Sequence, residues 1–229
     1  VLVLAIDTAT PAVTTGLVQL DAAAGPRTLA SRVTVNARAH GELLTPQVRE
    51  VVAEAGAALG DVDALVCGAG PGPFTGLRVG LVTAAALGHA LDRPVYPVAT
   101  PDAIAYDVFR DAPGQELLVV TDARRREVYW ARYDETGARV DGPNVERPAE
   151  LADRLAGAVV RRAAGQGAEL YADVLGLPVT APGFPSPAGL VGAAADAVLS
   201  RATPAPLTPL YLRRPDAVEP GARKRVSQS

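Results

Sequence analysis

An apolar strand that ends on an aspartate and turns directly into another strand occurs twice in this chain. The first copy is the run 2–6 with Asp7, the turn Thr8-Ala9-Thr10-Pro11 and the run 13–20. The second is the run 117–121 with Asp122, the turn 123–127 and the run 128–133. Each run is short, rich in branched apolar residues and bounded by turn formers, the signature of a buried strand. A repeated beginning of this kind implies two lobes of related construction. The 229 residues suffice for two small units or one large one, each with its own core.

Between the two copies the sequence reads βββαβαβ. Strands 2–6, 13–20 and 29–35 form an antiparallel meander. A helix is expected over 41–59, with Leu44, Val48, Val51, Val52, Ala55 and Leu59 recurring at helical spacing. A buried strand follows at 62–67, then a glycine- and proline-rich loop, a helix over 76–91 and a short strand at 95–98. After the second copy come a third strand near Val140, a helix over 148–160, a proline-rich loop over 178–187 and an alanine-rich helix over 188–199. The division this predicts is a first lobe at 1–104, a smaller second lobe at 105–212 and a disordered tail at 213–229.

The loop Gly70-Pro71-Gly72-Pro73-Phe74-Thr75-Gly76 lies between a buried strand and a helix. Backbone amides at such a junction sit at the positive end of the helix dipole, a geometry suited to anions. Thr75 is placed to cap the helix. No lysine is available to reach outer phosphates, and the prolines remove amides a pyrophosphate would need. The loop reads either as a tight turn that packs the helix on the sheet or as a phosphate contact. Asp7, Thr8, Gly72, Thr75, Gly76 and Arg78 are the candidate phosphate- or nucleotide-binding residues. Asp7 ends its strand where two-lobed phosphotransferases hold Mg2+ through water, but Ala9 stands where such enzymes place a glycine.

The helix after the loop carries Gly76, Gly80, Ala84 and Gly88 four residues apart, a stripe that lets another element approach closely. That stripe packs either on the lobe's own sheet or on a second subunit. Leu44, Val48, Val51, Val52, Gly80, Ala84 and Gly88 are the candidate interface. The formal charge of −3 makes the surface as a whole no magnet for nucleic acid. Local basic clusters occur at Arg124-Arg125-Arg126, Arg161-Arg162, Arg213-Arg214 and Arg223-Lys224-Arg225. Arg124, Arg125 and Arg126 are candidate RNA contacts, against the commoner case of a solvated turn. The single cysteine, Cys67, lies in an apolar strand and reads as an inert thiol; His40 and His89 form no metal-ligand spacing. No metal site and no catalytic residue are assigned. No apolar run reaches the ~18 residues of a membrane span, and the first residues lack a signal-peptide pattern, so a cytoplasmic protein is expected.

Three segments together resemble the TsaB (YeaZ) family: Ile6-Asp7-Thr8-Ala9-Thr10, the loop and helix start from Gly70 to Gly80, and Asp122-Ala123-Arg124-Arg125-Arg126-Glu127-Val128-Tyr129-Trp130. Pro209-Leu210-Tyr211-Leu212-Arg213 is similar as well. The resemblance implies an α/β, two-lobed, actin-like ATPase fold of the Hsp70 and sugar-kinase superfamily with a reduced second lobe. It implies a part in making N6-threonylcarbamoyladenosine at position 37 of tRNAs reading codons that start with A. It further implies pairing with the paralogous transferase TsaD, joined by the ATPase TsaE, with tRNA met through the complex and ATP or ADP with Mg possible there. Without TsaD the same patch could make homodimers. The paralogue's two metal-binding histidines align with Thr100 and Ile104, neither of which can replace an imidazole. The expected role is therefore a non-catalytic partner. The competing readings are an independent small ATPase or kinase built on Asp7, and a peptidase for which Cys67 has no evident histidine.

Overall fold

A computed structural model describes residues 1–213; the tail expected at 213–229 lies outside the described residues except for Arg213. Two five-stranded sheets carry the chain, ordered β3-β2-β1-β4-β5 and β10-β9-β6-β7-β8. In the first, β1 (Leu2–Asp7), β2 (Ala12–Asp21) and β3 (Gly25–Val35) form the antiparallel meander. β4 (Ala64–Gly68) and β5 (Val95–Val98) add in parallel on the other side of β1. The second sheet repeats the plan. β6 (Leu117–Asp122), β7 (Val128–Tyr133) and β8 (Arg139–Glu146) are its meander, and β9 (Arg162–Ala164) and β10 (Val179–Thr180) its parallel pair. The duplicated beginning read from sequence is thus a duplicated sheet, the two-lobed plan of the actin-like fold.

The central strands β1 and β6 are apolar up to their last one or two residues because both faces are covered. Leu4, Ile6, Leu65 and Cys67 face one core with α1 (His40–Glu54) and α2 (Phe74–Leu91). Val3, Ala5, Ala64 and Val66 face another core with α7 (Pro187–Ala193) and α8 (Ala195–Leu199). α3 (Thr100–Asp111) lies between the lobes, giving Ala103 to the first lobe's core and Ile104, Ala105 and Val108 to the second's. Leu118, Val120 and Trp130 form the last core, closed by Leu151 of α4 (Pro148–Arg154), Ala168 of α5 (Gln166–Leu170) and Leu175 of α6 (Ala172–Leu175).

Several expected boundaries move, each for a local reason. α1 ends at Glu54, five residues short of Leu59, because the chain turns at Gly56 with φ +67°. α2 starts at Phe74, with Pro73 rather than Thr75 at its cap position. The helix expected to reach Val160 stops at Arg154, ahead of Gly157 with φ +89°. The alanine-rich helix breaks at Ala194, and both halves pack on the first sheet although the sequence division places them in the second lobe. A short extended segment then returns across the first lobe, with Leu207 against its core and Leu210 N–H bonded to the Ala69 carbonyl at 2.9 Å.

Candidate functional site

The glycine loop folds down onto the β1–β2 turn. Asp7 is 0% exposed, and both carboxylate oxygens have partners within the chain. Ala9 N–H donates to Oδ1 at 2.8 Å and the Thr100 hydroxyl donates to Oδ2 at 2.6 Å. Burial pushes the carboxyl up to about 6, against the opposing pull of Thr100 and Ala9. Thr8 is also buried. Its hydroxyl donates to the Gly76 carbonyl at 2.7 Å and accepts from the Gly80 amide at 2.9 Å, bridging the two ends of one helical turn. A Cβ at Gly80 would sit 2.5 Å from Thr8 Oγ1, and one at Gly72 would fall on the Ala9 carbonyl, so both positions need glycine for this close approach.

This geometry divides the phosphate candidates. Asp7 is sealed away and Arg78 is engaged elsewhere, so neither is placed to meet a phosphate. Thr8, Thr75 and Gly76 line a cavity of about 170 Å3 together with His40 and Arg124. Gly72 lines a neighbouring cavity of about 310 Å3. The close approach that sequence reading offered to a ligand is filled at Asp7 by the chain's own loop.

The interface candidates are corrected outright. Leu44, Val48, Val51 and Val52 lie in the first lobe's core, Val48 at 3% exposure. Gly80, Ala84 and Gly88 are buried on the inner face of α2. Each helix presents its apolar stripe to its own sheet, the usual fate of such a stripe in a globular domain. α2 nevertheless keeps a second apolar face outward. Val82 is 66% exposed, and Ala85, Ala86 and Ala90 share its exposed side with Arg78 and His89. The helix is 18 residues long with mean hydropathy 1.3, enough by length and composition to cross a bilayer, but its inner residues belong to the lobe's core.

Arg124, Arg125 and Arg126 are exposed on the β6–β7 turn with φ of 63°, 56° and 61°. Three successive left-handed non-glycine residues cost roughly 1–2 kcal/mol each. Asp122 Oδ1 accepts from Arg124 N–H at 2.9 Å, and Ala123 and Glu127 close the turn through backbone bonds. The returning segment completes the cleft. Tyr211 stacks on Phe74 with centroids 4.7 Å apart and receives a 2.7 Å bond from Arg78 Nε, while the Arg78 guanidinium lies 3.5 Å from the Phe74 ring centre. Arg213 donates to the Ala123 carbonyl at 3.1 Å and pairs with Glu127.

Sequence reading missed several of these participants. Thr100 was noted only as a non-histidine, and Tyr211 only as part of a terminal motif. Gly165-Gln166-Gly167, between β9 and α5, is a glycine pair of the second lobe that the reading overlooked. Two of its three amides are already occupied: Gly165 N–H donates to the Pro182 carbonyl and Gln166 N–H to that of Gly183. The signal was a short Gly-x-Gly after an alanine strand, with no hydrophobic length to mark it.

Comparison with known proteins adds the following. A family model described as TsaD, tRNA N6-adenosine threonylcarbamoyltransferase, matches residues 29–201. An uncharacterized protein of Mycobacterium tuberculosis is 53% identical over 215 residues, covering 94% of this chain and 93% of that protein. The tRNA threonylcarbamoyladenosine biosynthesis protein TsaB of Escherichia coli is 35% identical over 137 residues, 59% of this chain and 57% of that protein. The structure of YeaZ from Pseudomonas aeruginosa superposes with a TM-score of 0.75 at 30% identity, over 92% of this chain and 99% of that one.

Proposed function

The chain belongs to the TsaB (YeaZ) family, within the wider TsaD family of tRNA threonylcarbamoyladenosine biosynthesis, and from that premise we propose that it is the non-catalytic partner of a TsaD-type transferase. The partner would carry the chemistry that forms N6-threonylcarbamoyladenosine at position 37 of tRNAs reading codons that start with A. This chain would pair with it and activate it in the cytoplasm, with the ATPase TsaE joining the pair.

The observation that carries the reading is the outward face of α2. An exposed valine flanked by exposed alanines on one helix is apolar surface without a cover in the monomer. The small side chains of Ala85, Ala86 and Ala90 would let a second helix approach closely. A TsaD-type paralogue, built on the same first-lobe plan, would offer the corresponding helices; without it a second copy of this chain could take the place. The closed Asp7 turn, and Thr100 and Ile104 buried where the paralogue's metal-binding histidines align, support the non-catalytic half of the proposal. An independent ATPase built on Asp7 would need that carboxylate exposed to a hydrated metal. The test is co-purification of the full chain with a TsaD-type transferase, compared with Val82→Asp. Undiminished pairing by the variant would remove α2 from the interface.

A further inference from the structure

The outward ridge of α2 does not end at its apolar residues. Phe74, Arg78, Val82, Ala86 and Ala90 stand four apart along the helix, and all of them are exposed. Such a row forms one ridge, the unit that a second helix packs against. The ridge tapers from Phe74 and Arg78 at one end to alanine at the other. Tyr211 of the returning segment widens the bulky end: its ring stacks on Phe74 and its hydroxyl accepts from Arg78 Nε. The Arg78 guanidinium lies over the Phe74 ring, so both neighbours hold it in one pose. That pose leaves its terminal nitrogens, Nη1 and Nη2, without a hydrogen-bond partner among the described residues, and no described carboxylate lies within ion-pair distance. α2 itself carries no aspartate or glutamate.

We infer that Arg78, braced by Phe74 and Tyr211, is the polar anchor of the pairing surface, and that the TsaD-type partner meets it with a carboxylate at the end of an apolar helix. The inference rests on the reading that the outward face of α2 is where the partner lies. An arginine and an aromatic pair beside an exposed valine have the composition of an interface's energetic centre. A carboxylate matches the two terminal nitrogens of a guanidinium through two parallel hydrogen bonds. Because Arg78 is already held by the stack and by the Tyr211 bond, less side-chain freedom is lost when the carboxylate arrives. The returning segment thereby joins the interface through Tyr211, a positioning residue for Arg78. A second copy of this chain brings no acid on its own α2, and the first to follow, Asp92, lies beyond the last turn. The anchor is therefore assigned to the paralogous partner, and the second copy is separated by the experiment.

The test is titration calorimetry of the full chain with a TsaD-type transferase over a range of salt, with self-association of the chain followed by analytical ultracentrifugation. The variants are Arg78→Gln, Arg78→Lys, Tyr211→Phe and Arg78→Gln combined with Tyr211→Phe, with Val82→Asp as the reference for the pairing face. Arg78 and Tyr211 are exposed, so thermal melts near wild type are expected and show that a binding loss is not a folding loss. Arg78→Gln is expected to pair at least about tenfold more weakly. Added salt weakens wild-type pairing more than it weakens that variant, because screening acts on the ion pair. Arg78→Lys retains part of the affinity, keeping the charge without the fork. Tyr211→Phe keeps the stacked ring and pairs more weakly, yet adds no further loss in the Arg78→Gln background, whereas a merely structural role would subtract equally from both. Lost pairing in Val82→Asp together with wild-type affinity and salt dependence in Arg78→Gln would overturn the inference and leave the pairing reading standing. Wild-type pairing by both variants would remove the two together. A loss confined to self-association would place Arg78 between copies of this chain and overturn the inference as well.

Discussion

The Thr100 hydroxyl donates a 2.6 Å hydrogen bond to Asp7 Oδ2, joining the first turn of α3 to the end of β1 across 93 residues of sequence. Thr100 thus helps to close Asp7 off from solvent. Asp7 is buried with its carboxyl raised to about 6 from 3.8. Between those values the folded chain holds a proton that the unfolded chain releases. Stability from this group is therefore complete below pH 3.8 and lost as the pH rises to about 6, by roughly 3 kcal/mol. Asp7→Asn removes the charge and keeps the bond from Ala9 N–H, with the Thr100 hydroxyl turned to accept from the side-chain amide. Urea unfolding at a series of pH values is expected to show wild-type stability falling relative to Asp7→Asn through that window. A constant difference between the two would refute the assignment.

Gly72 and Gly41 provide a contrast within one lobe. A Cβ at Gly72 would meet the Ala9 carbonyl, whereas at Gly41 nothing lies within 4 Å. Gly72→Ala is expected to lose about 3 kcal/mol as loop and turn are forced apart. Gly41→Ala, on the exposed first turn of α1, is expected to gain about 0.5–1 kcal/mol. Denaturant midpoints at constant m-value report both.

A charge on each face of the two helices separates core from interface. Val48→Asp buries a carboxylate in the first lobe and is expected to cost roughly 3–5 kcal/mol, abolishing pairing only because the fold fails. Val82→Asp is expected to melt near wild type and to pair at least about thirtyfold more weakly, from roughly 2 kcal/mol lost at an apolar contact. Thermal melts and titration calorimetry with the partner distinguish them.

Across the lobe junction, the Tyr133 hydroxyl donates to Asp102 Oδ1 at 2.7 Å, and Arg139 reaches the same carboxylate at 3.0 Å. Tyr133→Phe leaves the ion pair and removes one bond to a partly buried carboxylate. The expected loss is about 1 kcal/mol, measured by chemical unfolding at neutral pH.

The sheets were legible because buried strands are short apolar runs, and the duplicated strand–Asp–turn exposed the repeat. The helical stripes of α1 and α2 were read correctly as apolar faces but not as to what covers them. Periodicity locates a face, whereas Val48 and Val82 differ only in which side of their helix meets the sheet. The cleft was half visible. Arg124, Arg125 and Arg126 stood out by charge, but their left-handed backbone and their aromatic neighbours Phe74 and Tyr211 come from segments far apart in sequence. Thr100 drew notice only for not being a histidine, since nothing in a threonine at a helix start points to Asp7 beneath it.

The central claim is that this chain is an accessory subunit required by a TsaD-type transferase. Its most direct test is reconstituted formation of N6-threonylcarbamoyladenosine on tRNA, run with and without the chain and with Val82→Asp in its place. The account predicts modification with the wild-type chain, near-background product without it and a strongly reduced rate with the folded variant. Full modification in the absence of the chain would contradict it.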